Sequence, residues 1–413
     1  MRIHRATLWN LLAASGVYGG RFGVFPRGSG VTRPSYAPLI STHTAHAGSY
    51  HCTHAIRTEI APRAAPPLLN AWRRKERTRR CATAAEKQFT KAEAPRSRNR
   101  LRHLGESASI EVAPDIAEVG IRDVEALPNG TYVYVNMIKK SLHHFEEVVA
   151  ASRALVTAGL MPVPHLPAAR FGTDEECQSI IHEIASVGAN QILVIGGNDL
   201  KECSEAGACA YPSGAHGLLA NQVRNLKGVG FHAIALAGHP DGLPGLGYDG
   251  AATMASLVEK ARAVLQADLD VVVVTQFCLD ARKLLRWLDT SRAALGRLQG
   301  NGSTAGRVSY RIGLPGPTPR GRLGRIAEIC GVPSSGPSMH VRGILAASEV
   351  EPGKEADPAV WPEDLVLALA EYCERDDVAA GDVSLHFYPF GGMSKTLDLI
   401  SMLRAGSWPG LSE

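Results

Sequence analysis

From residue 107 onward, short apolar runs rich in β-branched residues alternate with longer stretches in which apolar residues recur at intervals of three and four. The runs are SIEVA (109–113), TYVYVNM (131–137), MPVPH (161–165), QILVIGG (191–197), FHAIALAG (231–238), DVVVVTQ (270–276), SYRIGLP (309–315) and VSLHFYPF (383–390). Stretches such as FEEVVAASRALVTAG, MASLVEKARAVLQA and DARKLLRWLDTSRAAL lie between them and carry the helical period. Strands that are almost continuously apolar, each followed by a helix, predict a parallel sheet with a helical cover. Eight such units fit a closed (β/α)8 TIM barrel over residues 106–413 better than a doubly wound open sheet, the alternative topology. A Pro, Gly and Ser-rich segment, 331–358, interrupts the pattern before the last helix and strand.

Composition adds a leader to this picture. Residues 1–100 hold 18 Lys and Arg against four acids, and the rest of the chain holds 26 against 36, so the basic excess is confined to the N-terminal part. That part has no acid before Glu59, is rich in Arg, Ser, Thr and Ala, and contains RRKERTRR at 73–80. It reads as a disordered, basic transit peptide over 1–105, with an organellar destination, mitochondrial before plastid. A retained basic arm that touches nucleic acid is the plainer alternative. The acidic remainder argues against nucleic acid as a partner of the folded domain, and no stretch past residue 105 has the ~18 apolar residues of a membrane span. The eight cysteines form no CxxC pair and show no metal-ligand spacing.

The stretch GLGYDG (245–250) has the spacing of a dinucleotide fingerprint. Its context is wrong for that motif, because it follows the fifth strand rather than opening the fold, and DVVVVTQ ends in Thr275 and Gln276 where a ribose-binding acid should stand. What remains is a Gly-rich loop at the carboxyl end of a barrel strand, leading into a helix whose free N–H groups could meet a phosphate.

In a barrel, residues closing the strands face one site. Here they are Glu111, His165, Asn198 and Asp199, His239 and Asp241, Gln276 and Asp280, and Tyr388. Polar groups after buried runs need hydrogen bonds or a cavity. One carboxylate among neutral donors and acceptors, with no GxSxG and no GxxxxGK[ST], points to proton transfer assisted by an organic cofactor.

The segments SIEVAP, PHLPA, VIGGND, AGHPDGLP, VVTQFCLD, IGLPGPTP and LHFYPFGG, in this order over roughly 105–405, resemble methylenetetrahydrofolate reductase, in particular a short reductase-like branch with the catalytic domain only. The resemblance implies a (β/α)8 flavoprotein that binds FAD and takes electrons from NADH or NADPH to reduce a folate substrate, 5,10-methylenetetrahydrofolate, to 5-methyltetrahydrofolate. It implies that Glu111 is the catalytic acid, with a pKa raised by burial near the flavin. It also places Gln276 and Asn198 at the substrate, and His165, Gly196, Gly197, Asn198, His239 and Lys260 at the cofactor. Asn198 stands where the family has an acid, Leu243 and His239 replace flavin contacts of other types, and Gly392 replaces an arginine. Those departures motivate the competing expectation, a reductase-like barrel that serves as an accessory or structural subunit of an organellar complex. Without a further domain after the eighth unit, the resemblance implies no adenosylmethionine regulation. A homo-oligomer and membership of an organellar complex both stay open, and a free homo-oligomer with a cleaved leader would argue against the accessory reading.

Overall fold

A computed structural model describes residues 94–115, 121–137, 144–197, 207–299, 307–332, 359–360, 363–375, 377–379 and 381–407. All eight predicted runs are strands: β1 (Ser109–Val112), β2 (Tyr132–Val135), β3 (Met161–Pro167), β4 (Gln191–Ile195), β5 (Ala233–Gly238), β6 (Asp270–Thr275), β7 (Val308–Pro315) and β8 (Val383–Tyr388). Every neighbouring pair is parallel, and Ser109 opposite His386 with Ile110 opposite Phe387 joins β1 to β8 and closes the ring. Closure excludes the open doubly wound sheet. The chain is therefore a TIM-type (β/α)8 barrel.

Alternation along each strand sorts the side chains into two cores. Ile110, Val133, Val135, Ile192, Ile234, Val271, Ile312, Leu385 and Phe387 point outward and join one apolar cluster with the helices. Tyr134, Val163, Leu193, Ala235, Val272 and Val274 point inward and pack the barrel interior. The β-branched runs thus fill both sides of the wall, which explains why they read as unbroken apolar strands.

Helix α1 (Ala94–Glu106) precedes β1, and its Leu101 and Leu104 are fully buried. Most of this helix falls inside the range assigned to the leader. Its mean polarity hid it, because five of its thirteen residues are Arg or His while only the stripe through Leu101 and Leu104 is apolar. A Cβ at Gly105 would lie 2.5 Å from the Arg404 backbone nitrogen, so α1 meets the last helix, Met393–Arg404, at a distance only glycine permits. Residues 1–93 and 333–358 lie outside the described residues. No helix among the described ones is long and apolar enough to cross a membrane.

At the carboxyl ends of the strands, helix Arg320–Cys330 follows β7 and packs Leu323, Ile326 and Ala327 against Phe277, Leu279, Tyr388 and Phe390. It ends at Gly331 in the left-handed conformation, where a Cβ would come within 2.6 Å of Pro244. This helix therefore reaches across to the Gly-rich loop after β5.

Candidate functional site

The inward positions of β1, β2, β3 and β8 build a polar group inside the otherwise apolar barrel. Ser109 and Glu111 alternate with Ile110 and Val112 on β1, and Ser384, His386 and Tyr388 alternate with Leu385 and Phe387 on β8. The same alternation turns Tyr134 and Asn136 inward from β2 and its continuation. The Asn136 amide donates to Glu111 Oε1 at 3.1 Å. On the other carboxylate oxygen, His165 Nε2 lies at 3.7 Å and His386 Nε2 at 3.9 Å. Neither imidazole nitrogen has a hydrogen-bond partner among the described residues, although both are buried. Buried polar atoms without partners are rare and mark places where water or a ligand atom belongs.

The other nitrogen of His386 is fixed. Ser109 Oγ donates to the Leu385 carbonyl at 3.2 Å and sits 3.0 Å from His386 Nδ1. The hydroxyl reaches both acceptors, and the tautomer that carries Nε2–H turns a donor toward Glu111, the arrangement that holds its carboxyl down. Tyr134 and Tyr388 brace the imidazole edge to face, with ring centroids at 4.6 and 4.8 Å, and Tyr388 donates to the Thr275 carbonyl at 2.9 Å. Gly313 lies opposite His386 on β7, and a Cβ there would collide with the Thr275 carbonyl and the Tyr388 ring.

Burial pushes the Glu111 carboxyl up, but His386, His165 and the Asn136 amide outweigh it and hold the group below the ordinary carboxylate range. The expectation that burial would leave it raised is corrected on this point. Burial drives both imidazoles below their ordinary value, against the pull of Glu111, so both are neutral at neutral pH. Groups this close titrate as one unit, and a proton taken up by the cluster belongs to all three.

A second group lies beside β5. His239, Leu243, Leu246, Thr253, Met254, Lys260 and Trp287 surround a cavity of about 20 Å³, which holds about one water. Burial lowers the Lys260 pKa, and among the described residues its ammonium has no ion pair or hydrogen bond. His239 is pushed down to about 4, first by burial and then by the Lys260 charge. Lys260 is half-buried, and a cation with reduced hydration and no carboxylate beside it among the described residues can accept an anion.

The loop GLGYDG behaves differently from the expectation. Pro244–Leu246 forms a 3-10 turn, Gly247 and Tyr248 take positive φ of 63° and 61°, and helix Gly250–Gln266 begins after Asp249. Asp249 accepts from Ala251 N at 2.8 Å and Ala252 N at 3.1 Å. The chain's own carboxylate thus occupies the N–H groups offered to a phosphate, as an N-cap aspartate does. Any anion bound here belongs with Lys260, more than two turns into the helix.

The remaining strand-end residues divide between the site and the scaffold. Gly196 accepts from Ala169 N at 3.0 Å, and Gly197, at φ 90°, would press a Cβ within 2.9 Å of the Ala169 methyl, so this backbone lies hard against the end of β3. Gln276 folds its Oε1 back onto Phe277 N at 3.0 Å. Asp280 caps the next helix through Lys283 N at 3.1 Å, and Asp241 pairs with Lys283. Asn198 and Asp199 lie outside the described residues. Asn136, Ser109 and His386 were missed because attention fell on the last residue of each strand. The available signal was a polar residue of inward parity inside a buried run.

No known family profile matches the chain. Two solved structures share its general outline. A protein from Toxoplasma gondii ME49 assigned as a deoxyribose-phosphate aldolase is 12% identical, with 76% of this chain and 98% of that chain covered and a TM-score of 0.39. The Yersinia pestis DHPS, in complex with a pterine-sulfa conjugate, is also 12% identical, with 72% and 92% covered and a TM-score of 0.36. The class defined by the strand topology is the (β/α)8 barrel, with a polar cluster at the carboxyl ends of its strands.

Proposed function

We propose that this barrel is a flavin-dependent oxidoreductase that reduces 5,10-methylenetetrahydrofolate to 5-methyltetrahydrofolate at the expense of NADH or NADPH. The observation that carries the reading is the Glu111, His165 and His386 cluster, a buried acid–base unit that can take up a proton and whose two imidazoles present nitrogens without a hydrogen-bond partner among the described residues. It stands among the segments that resemble the reductase family.

The residues present fit FAD by their chemistry. Lys260, half-buried and without a carboxylate among the described residues, would meet a phosphate, with His239 as its polar neighbour. Bound there, the flavin supplies two-electron hydride chemistry between nicotinamide and folate. A proton taken up by the cluster would pass from Glu111 to a folate nitrogen and open the five-membered ring, while Asn136 holds the other carboxylate oxygen and His165 and His386 steady the charge left behind. Gln276, at the end of β6, is placed to exchange its bond to Phe277 for one to the pterin. The acid-poor, Arg-rich leader supports an organellar address.

The test is an absorption spectrum of the full chain with and without FAD. A flavin band that bleaches with NADH or NADPH and returns with methylenetetrahydrofolate supports the reading. A chain that binds no flavin, or whose reduced flavin ignores the folate, overturns it.

A further inference from the structure

Hydroxyls inside helices ordinarily bond back to the carbonyl four residues earlier. Ser152, Thr157, Thr253 and Thr290 do so, donating to Val148, Arg153, Asp249 and Arg286 at 2.7–2.9 Å. Ser256, inside helix Gly250–Gln266, departs from this: its Oγ lies 2.9 Å from Nε2 of His216, in the first turn of the neighbouring helix Ala215–Gly228. Glu259, almost one turn beyond Ser256, places Oε2 4.0 Å from His216 Nδ1. A carboxylate on the Nδ1 side favours the proton there, so Nε2 is left to accept from the serine hydroxyl. Burial and the Lys260 charge oppose an imidazolium at His216 and outweigh Glu259, which makes it a neutral base at neutral pH. Its side chain is 37% exposed, so water reaches it. Ser256 also lines the cavity beside β5, together with Leu243, Met254, Trp287 and Lys260. Lys260 follows Ser256 by four residues, on the same helical face.

We propose that Ser256 and His216 form a second catalytic site, a nucleophile and its base, which hydrolyses esters of short acyl groups. Ser256 Oγ attacks the acyl carbon while its proton passes to His216 Nε2, and the alcohol departs with that proton as its own bond to the acyl carbon breaks. Water then gives a proton to the same nitrogen and its oxygen to the acyl carbon. The bond to Ser256 breaks, the hydroxyl regains the proton and the carboxylic acid leaves. Glu259 faces the imidazolium formed in each half, and the Lys260 ammonium stands at the cavity for the oxyanion. A cavity of about 20 Å³ walled by Leu243, Met254 and Trp287 takes a methyl-sized acyl tail and excludes a long chain.

This activity goes beyond the proposed reduction and shares with it only Lys260 and the cavity. Its test uses the full chain without flavin or folate, so neither reading stands or falls with the other. The probes are p-nitrophenyl acetate and a small alkyl fluorophosphonate, a reagent that phosphonylates activated serines. Wild type should release about one equivalent of nitrophenolate in an initial burst, and peptide mass analysis should place the phosphonyl group on Ser256. Ser256→Ala should lose both the burst and the adduct. His216→Gln should slow both about 100-fold or more, the usual loss with a general base. An unmodified Ser256 in the wild type, readable whether or not the variants fold, overturns the proposal. So does a labelling rate that is unchanged in folded His216→Gln.

Discussion

His386 Nε2 stands 3.9 Å from Glu111 Oε2 while its Nδ1 lies 3.0 Å from Ser109 Oγ, so a fully buried imidazole is held with one nitrogen toward a carboxylate just beyond hydrogen-bond reach. A gap of this size closes with a small movement or a bridging atom, and the predictions below concern what the cluster does and what holds its frame.

Glu111→Gln keeps the acceptor for Asn136 and removes the acid. Folate turnover should fall about 10²- to 10⁴-fold, the usual size of a lost general acid, while flavin still binds and is still reduced by the nicotinamide. Single-turnover absorbance traces separate the two halves, and undiminished folate turnover would remove Glu111 from the role.

Lys260→Met should act in opposite directions on two quantities. The unliganded chain should melt at a higher temperature at neutral pH, because a desolvated ammonium without a partner is gone. Affinity for FAD should drop by about tenfold or more, since a charge-assisted contact to phosphate is lost. A calorimetric melt and a flavin titration read the pair, and a variant that gains or loses both together would contradict the anion-site assignment.

Acid sensitivity follows from His239, whose pKa of about 4 in the fold lies below the ordinary 6.5. The unfolded chain takes up this proton first, so stability is complete above pH 6.5 and is lost as the pH falls toward 4. His239→Gln should flatten that part of the stability curve. Urea midpoints for both proteins between pH 7 and 4 measure it, and parallel curves would refute it.

Leu104→Ala tests whether α1 belongs to the barrel. A fully buried leucine in a folded unit costs about 2–5 kcal/mol on truncation, and the whole unfolding transition should shift rather than a separate early phase appear. Denaturation followed by far-ultraviolet dichroism shows which occurs.

The barrel was legible because its signal is redundant: DVVVVTQ or QILVIGG alone could be a buried helix turn, but eight such runs at even spacing admit few topologies. Glu111 was legible as a strand-end carboxylate through SIEVAP. His386 was harder to find, since LHFY looks like one more apolar strand and only its parity, shared with Ser384 and Tyr388, turns the imidazole inward. Helix α1 escaped for the opposite reason: its basic exposed face matched the leader, and two leucines were too few to outweigh it.

The Asp249 cap has a consequence for ligand choice. A carboxylate tethered one residue before the helix competes with any incoming phosphate at an effective concentration that free metabolites rarely match, of millimolar order or above for short tethers. The sequence that most resembles a nucleotide fingerprint thus carries its own built-in inhibitor, which keeps that helix end closed to the phosphates of the surrounding solution.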